Sequence, residues 1–345
     1  MANVYVGLSG GVDSATAAAL LKGAGHNVTG VYIKIWQPEF IECTWREDRL
    51  DAMRVASALQ IPFREIDLSE EYKSAVVERM IADYTNGITP NPDILCNEFI
   101  KFGAFMRYAL DAGADRVATG HYARIVHEGA AVRLARGVDA AKDQSYFLHR
   151  ISKRNLERTI FPVGAYSKSE IRDLARRFAL PVAEKPDSQG LCFVGDVSMK
   201  DFLARFIELK KGDVVTASGE VVGVHDGAAL YTVGQRHGFV MHAASAPHYV
   251  VGIDTVANTL TVSSDLEDAK RSSVRLAHMH WIDADVTYPV AVHAQPRYRT
   301  QALAAEISLR NGNAFAEFAS PQLLSPGQSL VLYSGDICIG GGVIM

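Results

Sequence analysis

Short β-branched runs alternate with longer segments of helical periodicity from residue 1 to about residue 180. This alternation is typical of an α/β domain, in which helices flank a parallel sheet. The predicted elements are strands at 4–8, 27–33, 63–67 and 116–118 and helices at 13–22, 47–59, 70–86 and 99–112. The stretch Gly87–Asn97, rich in Gly, Pro and Asn, is predicted to be a loop between the last two helices.

Beyond about residue 208 the pattern changes to short alternating strands with turn signals such as Asp226-Gly227 and Asn311-Gly312. Two hairpins are predicted in separate small sheets or barrels, Val250–Thr255 with Thr259–Ser263 and Ala302–Arg310 with Ala314–Phe318. We therefore expect an α/β domain, a small mainly-β central domain and a C-terminal β-barrel, with the bounds 1–207, 208–270 and 271–345.

The composition is that of an ordinary globular protein. Of the 345 residues, 48% are hydrophobic and 21% are charged, which argues against a disordered or collagen-like chain. The formal net charge of −4 means that any nucleic-acid binding must come from local basic patches. No Lys or Arg precedes Lys22, and polar residues interrupt the first apolar run, so neither a secretory signal nor a membrane-spanning helix is predicted. We expect a cytoplasmic protein without membrane contacts.

The loop after the first strand has the composition of an anion-binding site. Ser9–Ser14, with the sequence SGGVDS, leads directly into an Ala-rich helix. Glycines let the backbone approach a phosphate, and a helix N-terminus contributes N–H groups and about half a positive charge. The hydroxyl groups of Ser9 and Ser14 are further candidate donors. Neither G-x-x-x-x-G-K-[ST] nor G-x-G-x-x-G occurs here, so P-loop hydrolysis and dinucleotide binding are not favoured.

Two of the four cysteines lie in loops where a reactive thiol is expected. Cys96 precedes a predicted helix whose N-terminus would lower the thiol pKa, and Asp93 is a candidate acid–base group three residues earlier. Cys192 lies in a second loop, where a thiol can carry sulfur or form a transient disulfide. We interpret Cys43 and Cys338 as small buried hydrophobic residues. The four cysteines form no C-x-x-C pair of a structural zinc site.

Several short motifs, taken in order, connect this chain to known enzymes. SGGVDS resembles the fingerprint of the PP-loop ATP pyrophosphatases, which cleave ATP between its α- and β-phosphates. NPDILCN, TGHYAR, KDQSYFL and DSQGLCF, at residues 91–97, 119–124, 142–148 and 187–193, together resemble the tRNA-specific 2-thiouridylases. The resemblance continues through YTVGQR at 231–236, RYR at 297–299, SPGQ at 325–328 and CIGGG at 338–342, and so covers essentially the whole chain.

This resemblance implies a parallel-sheet PP-loop (adenine nucleotide α-hydrolase-like) catalytic domain, followed by the central β domain and a tRNA-contacting β-barrel. The implied reaction is ATP-dependent adenylation of the C2 oxygen of the wobble uridine of tRNA, then persulfide sulfur transfer that gives 2-thiouridine, AMP and pyrophosphate. Mg²⁺ would accompany the triphosphate, with Asp13 as a direct or water-mediated partner, and no permanent metal site made of protein alone is expected. The residues implied to bind ATP are Gly7, Leu8, Ser9, Gly10, Gly11, Val12, Asp13, Ser14, Ile33 and Gly120.

The same resemblance implies roles for the two reactive cysteines. Cys192 would receive sulfur as a persulfide from a sulfur-relay donor protein, and Cys96 would be the nucleophile that completes transfer, with Asp93 as acid–base group. A Cys96–Cys192 disulfide would then be reset by an outside reductant. The residues implied to contact tRNA are Asn91, Pro92, Asp93, His121, Lys142, Asp143, Gln144, Arg297, Tyr298 and Gln328. The target base is expected to be flipped into a pocket, and a monomer is expected.

Three other interpretations remain open at this stage. A different PP-loop RNA enzyme or an amide-forming synthetase would use the same ATP site without needing both cysteines. An iron–sulfur thiolase would hold a cluster with Asp93, Cys96 and Cys192, which is not favoured. A non-catalytic RNA-binding protein with a vestigial nucleotide fold is the least favoured, because the SGGVDS loop is intact.

Overall fold

The computed structural model describes residues 1–40, 45–187, 197–243, 246–283 and 286–345. The chain forms two compact units. The first unit comprises Met1–Val76, Pro92–Val197 and Gly335–Ile339, and the second unit comprises Val77–Asn91, Ser198–Ser334 and Gly340–Met345. Within the described ranges, no helix combines the length and the apolar character that a membrane crossing requires.

A five-stranded parallel sheet forms the centre of the first unit. Its strands and those of an added hairpin are β1 (Asn3–Gly7), β2 (Asn27–Lys34), β3 (Phe63–Asp67), β4 (Arg116–Ala118), β5 (Ala123–Glu128), β6 (Ala131–Arg136) and β7 (Thr159–Ile160). The order across the sheet is β3-β2-β1-β4-β7, and every pairing in it is parallel. The strand order reverses between β1 and β4, which leaves a crevice beyond the carboxyl ends of these two strands.

Helices of the first unit connect these strands. The α-helices of the described chain are α1 (Val12–Gly23), α2 (Trp45–Ala58), α3 (Ser69–Tyr72), α4 (Glu78–Thr85), α5 (Pro92–Leu95), α6 (Phe105–Asp111), α7 (Lys153–Leu156), α8 (Lys168–Arg177) and α9 (Met199–Leu203). Of these helices, α4 and α9 belong to the second unit. A π-helical segment, Lys73–Val77, joins α3 to α4, and a longer one, Cys96–Ala104, joins α5 to α6. In the longer segment a Cβ atom on Gly103 would come within 2.9 Å of Glu98 O, five residues earlier. Glycine therefore fits where the wide turns bring the backbone close to itself.

The helix that the sequence predicts to begin at Phe99 begins at Pro92 instead. α5, the π-helical segment and α6 form one helical run that ends at Asp111. Part of the predicted loop Gly87–Asn97 is therefore helical. Proline favours the first position of a helix, where its missing N–H is not needed, and Asp93 in the first turn favours the helix dipole. These two local signals outweigh the loop-like composition around them.

Small and branched side chains pack the sheet against α1 and α2. Val4 and Val6 of β1 are fully buried, as is Ala18 of α1, and Val55 of α2 belongs to the same core. Burial of each valine contributes about 1.5–3 kcal/mol to the stability of the fold. Because α1 presents mainly alanines to the sheet, it can lie close to β1 and keep its N-terminus at the carboxyl edge.

A hairpin that the sequence analysis did not predict, β5–β6, follows β4. Residues 337–338 pair with residues 134–135 of β6 within the first unit. Gly164, after β7, lies so close to the first residue of β5 that a Cβ atom there would be 1.7 Å from Ala123 O. The hairpin is thereby fixed to the end of the central sheet.

The second unit contains a five-stranded sheet and a closed barrel. Its strands are β8 (Gly212–Val215), β9 (Val221–His225), β10 (Val240–Met241), β11 (Tyr249–Asp254), β12 (Thr259–Ser263), β13 (Lys270–Trp281), β14 (Val290–Gln295), β15 (Leu303–Arg310), β16 (Asn313–Leu323), β17 (Ser329–Ser334) and β18 (Ile337–Ile344). The small sheet has the order β10-β9-β8-β12-β11. The barrel has the order β13-β16-β15-β14-β17-β18 and closes where β13 pairs with residues 340–344 of β18. The predicted hairpins are β11–β12 and β15–β16, so the predicted fold class is confirmed, while the domain bounds stay predictions.

Gly164→Ala is expected to destabilise the first unit. The added Cβ atom would overlap Ala123 O, and overpacking of this kind costs about 1–3 kcal/mol. Calorimetry should therefore show a lower melting temperature than for the wild type. The control is Gly23→Ala at the end of α1, where no atom lies within 4 Å of the added Cβ, and its melting temperature should be equal or slightly higher. An unchanged melting temperature for Gly164→Ala would contradict the close contact.

Candidate functional site

The SGGVDS loop, Ser9–Ser14, lies at the switch point of the sheet. β1 ends at Gly7, α1 begins at Val12, and β4 pairs with β1 along the adjacent edge. The N-cap residue is Gly11, so no side chain competes for the first N–H groups of the helix. Ala15 N–H makes the first intrahelical hydrogen bond, to Gly11 O, which leaves the three preceding N–H groups without a partner inside the helix. The loop therefore has the donors of an anion-binding site.

The two serines of this loop hold its shape. Ser14 Oγ donates to Gly11 O (3.1 Å), accepts from Ser9 N–H (3.1 Å) and lies 3.2 Å from Ser9 Oγ. Gly11 N–H in turn donates to Ser9 Oγ (3.3 Å). Ser14 is buried, whereas Ser9 is exposed. The hydroxyl group that remains accessible to a phosphate is therefore that of Ser9, and Ser14 organises the loop from inside.

Gly10 and Gly120 allow two close approaches between backbones. Gly10 has a φ of 75°, and a Cβ atom there would lie 2.3 Å from Asp48 O. Gly120 follows β4, and its Cβ would lie 2.7 Å from Ser14 N. The end of β4 is thus placed directly on the first turn of α1. The structure brings together the predicted ATP-binding residues that follow β1 and β4.

Ile33, near the end of β2, is the third predicted part of the nucleotide site. A Cβ atom on Gly7 would lie 3.8 Å from Ile33 Cδ1 and 3.6 Å from Phe105 Cε1. Ile33 is half-buried and Phe105 is fully buried. An apolar wall beside an anion-binding loop suits the flat ring of a base. The sequence analysis missed Phe105, because helical periodicity marks it only as a core position.

Asp13, in the first turn of α1, is held by donors from distant parts of the chain. Lys168 Nζ lies 2.7 and 2.9 Å from the two carboxylate oxygens, and Tyr122 OH donates to Oδ1 at 2.8 Å. Burial and the charge of Asp13 raise the pKa of the Tyr122 phenol, which therefore stays protonated and donates. Lys168 is the first residue of α8, after the N-cap residue Ser167, and its backbone N–H donates to Asp139 Oδ2 (2.9 Å). The sequence analysis missed both donors to Asp13.

A second carboxylate, Asp187, continues this network. It accepts from Lys168 at 2.8 Å, from Arg172 at 2.8 Å and from Lys142 at 2.9 Å. Burial raises the pKa of the Asp187 carboxyl, but the hydrogen bonds from Lys168 and Lys142 outweigh it and bring the pKa to about 2. Asp187 is therefore ionised at neutral pH, and three cations share its charge.

Cys96 and Asp93 lie in one helical run. Cys96 follows the four residues of α5 and begins the π-helical segment, so it is not at the helix N-terminus as the sequence predicts. The helix dipole acts mainly on the first turn, so the N-terminus of this helix does not favour the Cys96 thiolate as the sequence predicts. Asp93 and Cys96 are three residues apart and share one side of the helix. Cys96 is 8% exposed and makes no disulfide with a described cysteine.

The positive charge of Lys101 acts on both Asp93 and His121. Its ammonium lies 3.4 Å from His121 Nε2, and His121 Nδ1 lies 2.6 Å from Thr119 Oγ1. Because an ammonium can only donate, Nε2 accepts and Nδ1–H donates to Thr119. Burial, followed by the Lys101 charge, lowers the pKa of His121 well below its ordinary value, so the ring is neutral. Partial loss of solvent around the carboxyl raises the pKa of Asp93, and the charge of Lys101 opposes this rise.

The predicted tRNA contacts of the first unit have internal partners. Asp143 is buried and accepts hydrogen bonds from Arg136, Gly137 and Ser145. The ring of His121 packs against those of Phe102 and Phe161. Pro92 and Asp93 form the first turn of α5. Lys142 pairs with Asp187, and Gln144 Oε1 accepts a hydrogen bond from Tyr122 N–H. These bonds fix the backbone of the KDQ motif. Contact of the motif with tRNA stays a prediction.

The second unit contains the remaining candidates for tRNA contact, Asn91, Arg297, Tyr298 and Gln328. Arg297 donates to Val233 O at 2.8 Å and to Ser325 Oγ. Gln328 Nε2 donates to Thr89 O at 2.9 Å. Gln328 therefore lies beside the segment that carries Asn91, although 237 residues separate the two in sequence. Their role in tRNA binding stays a prediction.

Two of the four cysteines, Cys96 and Cys338, lie within the described residues. Cys338 is buried, as predicted, with 1% of its surface exposed. Cys192 and Cys43 lie outside the described residues. Among the residues that are described, no group of three or more His, Cys, Asp or Glu side chains is arranged to hold a metal ion.

Three family profiles match consecutive parts of the chain. They are described as a tRNA methyl transferase HUP domain at residues 2–196, a tRNA methyl transferase PRC-barrel domain at 200–264 and an aminomethyltransferase β-barrel domain at 271–344. The first profile alone covers more than half of the chain.

Curated relatives match over almost the full length. Proteins named tRNA-specific 2-thiouridylase MnmA from Nitrosomonas eutropha, Listeria monocytogenes and Chromobacterium violaceum are 42%, 40% and 41% identical to this chain. Each match covers 99% of this chain and, in the same order, 98%, 94% and 91% of the relative. A solved structure of U34-tRNA thiolase NcsA from Methanococcus maripaludis with its 4Fe–4S cluster is 18% identical, with a TM-score of 0.38 over 56% of this chain and 61% of that chain. Similarity at that level has no bearing on the chemistry of this chain.

Gly120→Ala is expected to weaken ATP binding about 5- to 150-fold. The added Cβ would lie 2.7 Å from Ser14 N and would displace the turn after β4 from the anion-binding loop. A cost of about 1–3 kcal/mol corresponds to this loss of affinity. Isothermal titration calorimetry with ATP checks it, with Gly23→Ala as the matched control. Wild-type affinity in a folded Gly120→Ala protein would contradict the proposed contact.

The neutral His121 is expected to make stability fall in acid. The pKa of His121 is lowered in the folded protein, so the unfolded chain, with the ordinary value of 6.5, takes up the proton first as the pH falls. Its contribution to stability is full above about pH 6.5 and is lost below it, with a slope of at most about 1.4 kcal/mol per pH unit. Urea denaturation from pH 7 to pH 5 should therefore show a smaller loss of stability for His121→Gln than for the wild type. The exposed His237→Gln serves as control, and parallel profiles for all three proteins would refute the expectation.

Proposed function

The chain belongs to the tRNA-specific 2-thiouridylase family, and on that premise we propose that it uses ATP to replace the C2 oxygen of a tRNA wobble uridine with sulfur. The observation that carries the proposal is the anion-binding loop Ser9–Ser14 at the switch point of the sheet. Gly120 lies against its first helical turn, and Ile33 adds an apolar wall. The products are 2-thiouridine, AMP and pyrophosphate.

The profile descriptions name methyl transfer, whereas the curated relatives are named for thiolation. S-adenosylmethionine, the common methyl donor, carries no phosphate group. A loop whose glycines, serines and helix N-terminus suit a phosphate therefore favours ATP-dependent thiolation over methyl transfer. Cys96, beside Asp93 on one side of a helix, supplies the thiol that such a reaction requires.

The residues present fit a Mg²⁺ ion on the triphosphate. Asp13 offers carboxylate oxygens in the first turn of α1, next to the loop, and its side chain is 32% exposed. When bound there, Mg²⁺ supplies positive charge that favours the departure of pyrophosphate. Asp13 would hold the ion directly or through water, while the loop N–H groups orient the phosphates.

The first chemical step is adenylation of the base. The C2 oxygen of the uridine attacks the α-phosphorus of ATP, the bond from that phosphorus to the β-phosphate bridging oxygen breaks, and pyrophosphate leaves with the electron pair. Gly120 and the start of α1 hold the α-phosphate, and the half-buried Ile33, with the buried Phe105 behind it, packs against the adenine. The C2 carbon, now bonded to a good leaving group, is open to attack by sulfur.

The second step is sulfur transfer. A sulfur-relay donor protein places sulfane sulfur on Cys192, and the terminal sulfur of this persulfide attacks C2, so AMP leaves with the former C2 oxygen. The Cys96 thiolate then attacks the Cys192 sulfur, which forms a Cys96–Cys192 disulfide and releases the base with sulfur on C2. Asp93 takes the proton from Cys96, and its raised pKa brings it closer to working pH. A reductant outside the chain returns both cysteines to thiols.

Recognition of tRNA is assigned to both units. Asn91, Pro92 and Asp93 would form the floor of the pocket for the flipped base, with His121 nearby. Lys142, Asp143 and Gln144 in the first unit, and Arg297, Tyr298 and Gln328 in the second unit, would contact the tRNA. We further propose a cytoplasmic monomer that needs no membrane.

The experiment is mass spectrometry of wobble nucleosides after incubation of unthiolated tRNA with ATP, Mg²⁺, a persulfide donor that supplies sulfane sulfur and anaerobically purified protein. We expect 2-thiouridine from the wild type, and at least a hundredfold less from Cys96→Ser and from Cys192→Ser, because each lacks a sulfur nucleophile. Cys338→Ser, a substitution of a buried cysteine without an assigned role, is the matched control. Iron is assayed on every sample.

Two outcomes would change the proposal. Cleavage of ATP to AMP without thiolated product would mean that the acceptor is different, as in another PP-loop RNA enzyme or an amide-forming synthetase. Product that depends on stoichiometric iron would assign Asp93, Cys96 and Cys192 to a cluster instead of a persulfide and disulfide cycle.

A further inference from the structure

The Ser9–Ser14 loop has no cation of its own, since it contains neither Lys nor Arg. ATP brings several negative charges to the loop, and breakage of the bond to the α-phosphorus concentrates charge on the leaving pyrophosphate. The N-terminus of α1 offers only about half a positive charge. A phosphate-binding cation from another part of the chain would complete such a site, as a lysine does in P-loop enzymes.

Lys168 is the side chain that the fold brings to this position. Its ammonium touches both carboxylate oxygens of Asp13, two residues beyond the last loop glycine, and lies 2.8 Å from Asp187. We propose that Lys168 is the phosphate-binding cation of the ATP site, held by Asp13 and Asp187 until the triphosphate arrives. This inference rests on the proposed function and adds a residue to it.

The backbone of Lys168 is firmly placed relative to the loop. It begins α8, where Ser167 and Glu170 form a capping box, and its own N–H donates to Asp139. α8 packs on α1 through a buried cluster that includes Ala17 and Ile171. The Cα atom of Lys168 is therefore fixed, whereas the four-carbon chain beyond it allows the ammonium to turn toward a phosphate.

Other donors keep the two carboxylates satisfied when Lys168 turns away. Asp13 retains the hydroxyl of Tyr122, and Asp187 retains Lys142 and Arg172. A partly buried carboxylate that lost all its donors would be destabilised, and the remaining donors avoid that cost. The ammonium can thus exchange a carboxylate for phosphate oxygens without disrupting the network.

The exchange has a defined chemical effect. As the bond between the α-phosphorus and the bridging oxygen breaks, the electron pair stays with pyrophosphate, and Lys168 donates N–H groups to the oxygens that gain charge. No proton leaves the lysine, and no further reactant is needed. The interaction involves the phosphates that leave, so its loss should affect ATP and pyrophosphate but not AMP.

The test measures the affinities of the full chain for ATP, AMP and inorganic pyrophosphate by calorimetry. We expect Lys168→Met to bind ATP and pyrophosphate about 10- to 100-fold more weakly than the wild type, as for the loss of a charged hydrogen bond, and to bind AMP within about threefold of it. Lys168→Arg keeps the charge and should recover most of the ATP affinity. Arg176→Gln, which removes one charge from an exposed pair on the same helix, is the matched control for ATP affinity.

The alternative role for Lys168 is purely structural, as a link between α8 and α1. In that case Lys168→Met would lower the affinities for ATP and AMP equally, and this result overturns the inference, as does unchanged ATP affinity. Should Lys168→Met not fold, Lys168→Arg decides: recovery of ATP affinity to within about threefold supports the inference, and a hundredfold loss overturns it. A wild-type chain that binds no ATP would overturn the proposed function itself, and this inference with it.

Discussion

A single close contact between backbones, that of Gly120 with the first turn of α1, orders much of the first unit. Only a residue without a Cβ atom can lie there, because Ser14 N occupies the space. The two residues that follow Gly120 then extend in different directions. His121 is directed to Lys101 on the helical run that carries Cys96, whereas Tyr122 is directed to Asp13. One glycine therefore aligns the Ser9–Ser14 loop with the helical run that carries Cys96.

Much of the fold could be predicted from the sequence because its signals are local. The strands β1 to β4 and the helix α1 lie within one or two residues of their predicted bounds, since short β-branched runs and helical periodicity fix them. The SGGVDS loop was recognisable for the same reason. The start of the helix at Pro92 was predictable in principle, because a proline followed by Asp93 is a common way to begin a helix. The glycine and asparagines nearby favour a loop, so the sequence analysis did not predict this helix start.

The side chains that complete the site could not be predicted in this way. Lys168 lies 155 residues from Asp13 in sequence, and Tyr122 lies 109 residues from it. An ion pair of this kind depends on how α8 packs on α1, and no residue spacing records it. Burial is equally hard to read from composition. Asp143 belongs to a polar motif that suggests a surface, yet the fold satisfies its carboxylate internally and buries it.

The π-helical segment Cys96–Ala104 limits how the chain can change in length. Each residue of an α-helix turns the chain by about 100°, and a π-helix accommodates extra residues by widening its turns. Deletion of one residue between Asp93 and Phe105 would let the segment rewind as an α-helix, and Cys96 would rotate by about that angle relative to the buried core. Related chains should therefore tolerate substitutions in this segment far better than insertions or deletions, and the number of residues from Asp93 to Phe105 should stay constant among them.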